Sequence, residues 1–190
     1  MDSPHPAPDP ALPAVFPGGC LRRLQPRDLA AFQAYRAEPA LGRYQGWTPL
    51  PETEARAFLQ QMEKAPLFIP GEWLQLGIAT APDDGLVGDV GVCVAPDRGT
   101  AEIGYTLATA AQGRGLATLA VGTLLPLLFD VAGVAEVVAI TDRRNATSIA
   151  LLRRLGFRWT ASVDAVFRGE DCIEEVYRLP RPRPSRLTQT

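Results

Sequence analysis

The sequence predicts a mixed α/β domain built on a largely antiparallel sheet, and three observations carry that prediction. Strand-like runs between residues 73 and 107 are separated only by turn signals, Asp83-Asp84-Gly85 and the stretch Asp97-Arg98-Gly99. They therefore fold as an antiparallel meander and not as βαβ units. Apolar residues at helical spacing lie on either side of it: Ala55, Phe58, Leu59 and Met62 before, and Leu116, Leu119, Ala120 and Leu124 after. With 190 residues, 46% hydrophobic and 21% charged, the chain suits one globular domain with tails.

Taken in order, residues 1–17 are rich in Pro, Ala and Asp and read as an extended or disordered arm. The domain proper is expected over 18–180, and residues 181–190 form a frayed tail. Residues 20–24 are a short strand. Pro26 suits the first turn of a helix running to about Ala37. Residues 39–49 are a loop carrying Tyr44 and Trp47, and a second helix starts near residues 51–53 and ends at Pro66. Strands follow at 73–80, 86–95 and 101–107. The helix from Leu116 meets Pro126, which removes a hydrogen bond and clashes with the previous turn, so a kink or restart is expected there. Residues 135–141 are an apolar, β-branched strand expected to be buried on both faces. Asn145 caps a helix through Leu155, Gly156 is its left-handed C′ residue, and Phe157 folds back on Leu152. Residues 158–167 and 172–179 close the chain as a hairpin. Trp73 and Trp159 read as core or sheet-face residues, and Arg153 and Arg154 as a solvated helix face.

Composition excludes several classes of function. A net charge of −2 and a pI near 5.5 give no basic footprint for nucleic acid. No apolar run reaches the roughly 18 residues of a membrane span, and the N-terminus lacks the pattern of a signal peptide; a cytoplasmic location is expected. Cys20, Cys93 and Cys172 lie far apart with no C-x-x-C pair, and read as buried, reduced thiols. The one histidine, His5, sits among prolines in the arm. A Ser-His or Cys-His nucleophile and a His-ligated zinc are therefore not expected, and no metal is. Proton transfer falls to carboxylate, hydroxyl, water or backbone.

The most informative stretch is Gln112-Gly113-Arg114-Gly115-Leu116-Ala117, set between a strand and a helix. Glycines at a helix start leave N–H groups bare with the positive end of the helix dipole behind them, which suits a phosphate-bearing ligand. A plain glycine turn is the structural alternative. A mononucleotide P-loop needs a Gly-Lys dipeptide, and none exists. A dinucleotide loop would place its third small residue at Thr118 and an acid about 20 residues later; Glu136, nearest that spacing, starts a strand instead of ending one.

The pattern Gln112-x-x-Gly115-x-Ala117 resembles the acyl-CoA signature of the GNAT superfamily of N-acetyltransferases. Ala101-Glu102-Ile103-Gly104-Tyr105 before it, and Asn145-x-x-Ser148 and Leu155-Gly156-Phe157 after it, extend the resemblance. The segment 44–59, with Trp47, Pro49 and Ala55, looks like the substrate side of the ribosomal-protein N-terminal acetyltransferase branch. The resemblance covers roughly residues 19–179. It implies a GNAT fold: a mixed, mostly antiparallel sheet, helices on both faces, and a V-shaped split between the fourth and fifth strands that takes the pantetheine of acetyl-CoA. It also implies transfer of acetyl to a primary amine, either a protein N-terminus or a small molecule such as an aminoglycoside, polyamine or amino acid. A homodimer is common in the family, and a non-catalytic CoA-binding domain is the other alternative.

By the same resemblance, backbone at Tyr105, Leu107 and Ala108 pairs with pantetheine, and N–H groups near Leu107 and Ala108 polarise the thioester carbonyl. Residues Gln112, Gly113, Arg114, Gly115, Leu116 and Ala117 meet the pyrophosphate. Asn145 contacts pantetheine, and Ser148 lies near the sulfur as a donor to the leaving thiolate. Many relatives carry a tyrosine four residues after this serine, where this chain has Leu152. For the base, period-two alternation puts Glu102, Gly104 and Thr106 on one strand face. Glu102, working through water, is the expected base, with Asp89 and Glu174 as weaker candidates. Tyr44 and Trp47 are expected to shape the acceptor pocket, with Glu38, Glu52 and Glu54 as the acids available near it.

Overall fold

The computed structural model describes residues 11–182, so the first part of the expected arm and most of the expected tail lie outside the described residues. The chain enters the sheet earlier than expected. Ala14–Phe16 is a strand, β1, paired antiparallel with β2 (Gly19–Arg23). Phe16 is buried, and Leu12 and Ala14 pack against the same core. Within the proline-rich stretch Leu12, Ala14 and Phe16 alternate with period two, and that alternation lets one face of the arm dock.

A 3-10 turn, Pro26–Asp28, precedes α1 (Leu29–Arg36). Asp28 is held by the buried Arg22 guanidinium through two hydrogen bonds of 2.8 Å, so the tight turn is fixed by tertiary charge pairing. The expected loop contains one short helical turn, α2 (Pro39–Gly42); α3 (Glu52–Lys64) follows. The meander is present as β3 (Trp73–Thr80), β4 (Gly85–Val94) and β5 (Thr100–Leu107), antiparallel throughout. Helix α4 (Leu116–Pro126) reaches the proline and then rewinds as a π-turn, Leu127–Val131, closed by Ala132 N–H on the Leu127 carbonyl at 3.0 Å. The rest is β6 (Glu136–Asp142), α5 (Ala146–Arg154), β7 (Arg158–Phe167) and β8 (Glu170–Pro180). Both ends of α5 are as expected. Asn145 Oδ1 accepts from Ser148 N–H, Gly156 has φ +89°, and Phe157 N–H donates to the Leu152 carbonyl at 3.0 Å.

The eight strands form one sheet in the order β1-β2-β3-β4-β5-β6-β8-β7. Every described pairing between named strands is antiparallel except β5 with β6. That parallel ladder runs only from Thr100↔Glu136 to Glu102↔Val138. β5 then continues to Leu107 and β6 to Asp142 with no ladder between them, which opens the sheet as a V. Helices α1 and α3 pack together against β3 and β4, while α4 and α5 pack together against β1, β2, β5 and β6. The pairs cover opposite faces: of two successive β5 residues, Thr106 meets Trp47 on the α1 side and Tyr105 meets Ser148 on α5.

The split overturns one burial expectation. Val137, Ala139 and Thr141 of β6 are buried, but Ile140 is 42% exposed because its face looks into the opening. Trp73 and Trp159 are likewise sheet-face residues about half exposed, not core. Cys172 is buried and Cys20 and Cys93 are partly so; all three are free thiols. Among the described residues no helix is long and apolar enough to cross a membrane.

Candidate active site

The site is built on β5, whose two edges and two faces do different work. Ala108 N–H donates to the Val87 carbonyl at 2.8 Å, and in an antiparallel ladder the residues directed at the partner alternate. Thr106 and Gly104, opposite Asp89 and Gly91, thus turn their main-chain groups toward β4, and Tyr105 and Leu107 turn theirs into the split. The Tyr105 carbonyl accepts from Gln45 Nε2 at 3.1 Å, and the Leu107 carbonyl from Gln112 Nε2 at 2.9 Å. Among the described residues no strand pairs with this edge, whose outward carbonyls meet only these two side-chain amides, and it can pair with the amides of an extended ligand. It corrects one expectation: the Ala108 N–H is already committed to Val87, so of the two amides expected to polarise a carbonyl only that of Leu107 faces the opening.

Beyond this edge a 3-10 turn, Thr109–Ala111, leads into the glycine loop. Gly113 and Gly115 have φ +75° and +76°, the left-handed region where a Cβ is strained. Gly115 is the N-cap of α4 and supplies no capping side chain, so the first N–H groups of the helix point outward. No atom lies within 4 Å of a Cβ built on either glycine, and Gln112, Gly113, Arg114 and Gly115 are exposed. An open cradle of bare amides at the head of a helix fits a pyrophosphate. Leu116 is buried and Ala117 half-buried; their side chains anchor the helix while their main chain faces the cradle.

The other face of β5 floors a cleft of about 620 Å³ lined by Tyr44, Trp47, Phe32, Trp73, Asp89 and Glu102, among others. Trp47 Nε1 donates to Thr106 Oγ1 at 3.3 Å, and the loop behind it is held by Arg168, which donates to the Trp47 carbonyl at 2.6 Å. The Arg36 guanidinium lies over the Trp47 and Phe32 rings, 4.4 and 4.9 Å from their centroids, and donates to Asp89 at 2.6 Å. Tyr35 donates its hydroxyl to the same carboxylate. Asp89, buried and doubly engaged, is thereby a structural counter-ion; burial, then its charge, pushes the Tyr35 phenol well up.

Glu102 is the contrasting carboxylate. It has no ion-pair or hydrogen-bond partner among the described residues. Loss of water in the cleft, then repulsion from Glu174, raise its pKa above the ordinary carboxylate value. Cys93 lies directly opposite it on β4, and burial followed by the Glu102 charge raises that thiol. The expected acids Glu38, Glu52 and Glu54 do not line the cleft: Glu38 accepts from Thr109, and Glu52 pairs with Arg56 at 2.8 Å.

The structure thus brings Glu102, Tyr44 and Trp47 together in one cleft, and Tyr105, Leu107, Ser148 and the glycine loop along the split. The Tyr105 hydroxyl and Ser148 Oγ lie 2.8 Å apart across it. Sequence reasoning missed Arg36, Phe32 and Trp73 as cleft residues. Asp89, expected as a weaker candidate base, does line the cleft opposite Thr106, but its carboxylate is engaged by Arg36 and Tyr35.

Comparison with known proteins agrees with this fold. The family profile described as the acetyltransferase (GNAT) domain matches residues 20–158. An uncharacterized N-acetyltransferase, p20 of Bacillus licheniformis, is 28% identical over 140 residues, 73% of this chain and 78% of that protein. RimL, a ribosomal L7/L12 α-N-protein acetyltransferase solved with coenzyme A, superposes with a TM-score of 0.74 at 18% identity, over 87% of this chain and 96% of that one. A chimera of the spermidine N-acetyltransferase SpeG of Vibrio cholerae gives 0.70 at 17% identity, over 84% and 93%. The chain belongs to the GNAT family of acetyltransferases. It is an acetyl-CoA-dependent N-acetyltransferase.

Proposed function

We propose that the chain acetylates the α-amine of a protein N-terminus by direct attack on acetyl-CoA in a ternary complex. The observation that carries this is the juxtaposition on β5 of a main-chain edge without a strand partner and an aromatic cleft holding one unpaired carboxylate, Glu102. The β5 edge at Tyr105 and Leu107 would hold the pantetheine amides, and the amides of residues 112–117 the pyrophosphate. Asn145 would orient the donor from the far wall. Glu102 takes the ammonium proton through a water, and its raised pKa brings it nearer the working range of a general base. Ser148 donates a hydrogen bond to the departing sulfur.

A polyamine acceptor would favour a strongly acidic lining. Glu38, Glu52 and Glu54 lie outside the cleft and the Asp89 charge is taken by Arg36, which favours the singly charged peptide amine. The three free thiols suit the reducing cytoplasm. The test is steady-state CoA release with a panel of N-terminal peptides, spermidine and an aminoglycoside. Turnover with peptides is expected. Turnover with spermidine but not peptides overturns the acceptor, and tight acetyl-CoA binding with no turnover on any amine would leave a binding domain.

A further inference from the structure

Leu152, four residues after Ser148, is fully buried and offers the serine no hydroxyl. A tyrosine does reach this serine, from the opposite wall of the split. Tyr105 lies on β5 and Ser148 in the first turn of α5. The Tyr105 oxygen is 2.8 Å from Ser148 Oγ and 3.4 Å from the Ser148 carbonyl. Ser148 itself is fixed: its N–H donates to Asn145 Oδ1 at 3.2 Å as part of the helix cap. Its hydroxyl makes no other hydrogen bond among the described residues.

A serine hydroxyl has one proton and two lone pairs, and nothing intrinsic tells it where to point. The 2.8 Å geometry lets either hydroxyl donate; a phenol is the stronger donor and the weaker acceptor of the two, which favours Tyr105 as the donor. Burial, only partly offset by the Ser148 hydrogen bond, pushes the Tyr105 phenol up to about 12, so it carries its proton throughout the neutral range. With Tyr105 donating to Ser148 Oγ, the serine proton is left free for a third group in the split.

We propose that Tyr105 is a positioning residue that aims the Ser148 hydroxyl at the departing sulfur. The proposal rests on the reading of Ser148 as a donor to that sulfur. In the step it serves, the amine nitrogen forms a bond to the acyl carbon and gives up a proton to the water held by Glu102. The carbon–sulfur bond then breaks, and its electron pair goes to sulfur. The thiolate is stabilised by the Ser148 O–H, itself polarised by the Tyr105 O–H behind it, and takes its final proton from solvent.

The test compares Tyr105→Phe, Ser148→Ala and the double variant by kcat, by acetyl-CoA Kd from titration, and by melting temperature. Tyr105→Phe is expected to lower kcat about tenfold, the scale of one hydrogen bond to a developing charge, with acetyl-CoA Kd unchanged because the Tyr105 main chain remains. The double variant is expected to be no slower than Ser148→Ala alone, since the phenol acts only through the serine. Full kcat in Tyr105→Phe beside an impaired Ser148→Ala overturns this inference and leaves the serine's role standing. Losses that multiply in the double variant also overturn it. Full kcat in Ser148→Ala sinks the serine's role and this inference with it. Should Tyr105→Phe melt below the assay temperature, Tyr105→Met keeps an apolar filler without the hydroxyl; the same kcat loss supports the inference, and full turnover overturns it.

Discussion

The edge of β5 facing the split and the face of β5 flooring the cleft are built from different materials. The donor side is main chain: the outward carbonyls of Tyr105 and Leu107 and the bare amides around Gly113 and Gly115. The acceptor side is side chain, contributed by α1, the loop after α2, β3, β4 and β5. A site made of backbone depends on conformation and tolerates most side-chain changes that leave φ and ψ alone. A site made of side chains depends on identities far apart in sequence. The donor half should therefore fail through glycine substitutions, and the acceptor half through single charge or ring deletions.

The largest effect is expected at the one unpaired carboxylate. Glu102→Gln should lower kcat on the order of 10³-fold, the range of a general base, while acetyl-CoA Kd stays put because the donor side does not use that side chain. The pH profile checks the sign. A base works when unprotonated, so the wild-type rate should rise with pH through a pKa above the ordinary carboxylate value, and the variant should lose that limb. The same raised pKa means that ionised Glu102 opposes folding, a penalty absent at low pH and complete above its folded pKa. Thermal melts at neutral pH should thus show Glu102→Gln no less stable than wild type. A variant both inactive and unstable would make Glu102 structural.

Asp89 offers the sharpest contrast on the same face. It is buried, paired with Arg36 and bonded by Tyr35. Asp89→Ala leaves a buried guanidinium without its counter-ion, at a cost of about 3 kcal/mol in urea unfolding. Any kcat loss should follow the unfolded fraction. On the donor side, Gly115→Val forces a β-branched residue to φ +76°. The expected result is about a tenfold weaker acetyl-CoA Kd, from a strain of 1–2 kcal/mol relieved by distorting the loop, with the acceptor KM unchanged. A wild-type Kd in that variant would show that the loop's left-handed geometry is not what holds the donor.

This division also explains what was legible in the sequence. The glycine loop, the Asn145 cap, the Gly156 stop and the meander are local: each is specified by residues within one turn or hairpin of one another, and each is where the sequence places it. The face shared by Glu102 and Thr106 was readable because period two is a property of a single strand. The cleft partners were not. Nothing near Arg36 announces that it will stack on Trp47 and neutralise Asp89, because those contacts join α1, a loop and β4 only after the sheet has formed. β1 was hidden by a related competition, a proline-rich composition masking the alternation of Leu12, Ala14 and Phe16. The burial of β6 was misjudged because an apolar run does not reveal that its neighbour splays away after Glu102↔Val138.

The smallest expected effect lies where the two halves touch. Gln45 belongs to the acceptor loop, yet its side-chain amide donates to the Tyr105 carbonyl, an acceptor on the donor edge. An extended ligand pairing with that edge would compete for the same oxygen. Gln45→Ala removes the competitor and one tether of the loop together. A neutral hydrogen bond is worth about 1 kcal/mol net, so acetyl-CoA should bind a few-fold tighter while the acceptor KM rises by a similar factor. Opposite shifts of the two constants are the signature, read by titration and steady-state kinetics. Parallel weakening of both would mean that Gln45 supports the donor edge, and that the two sides of β5 are less separate than their construction implies.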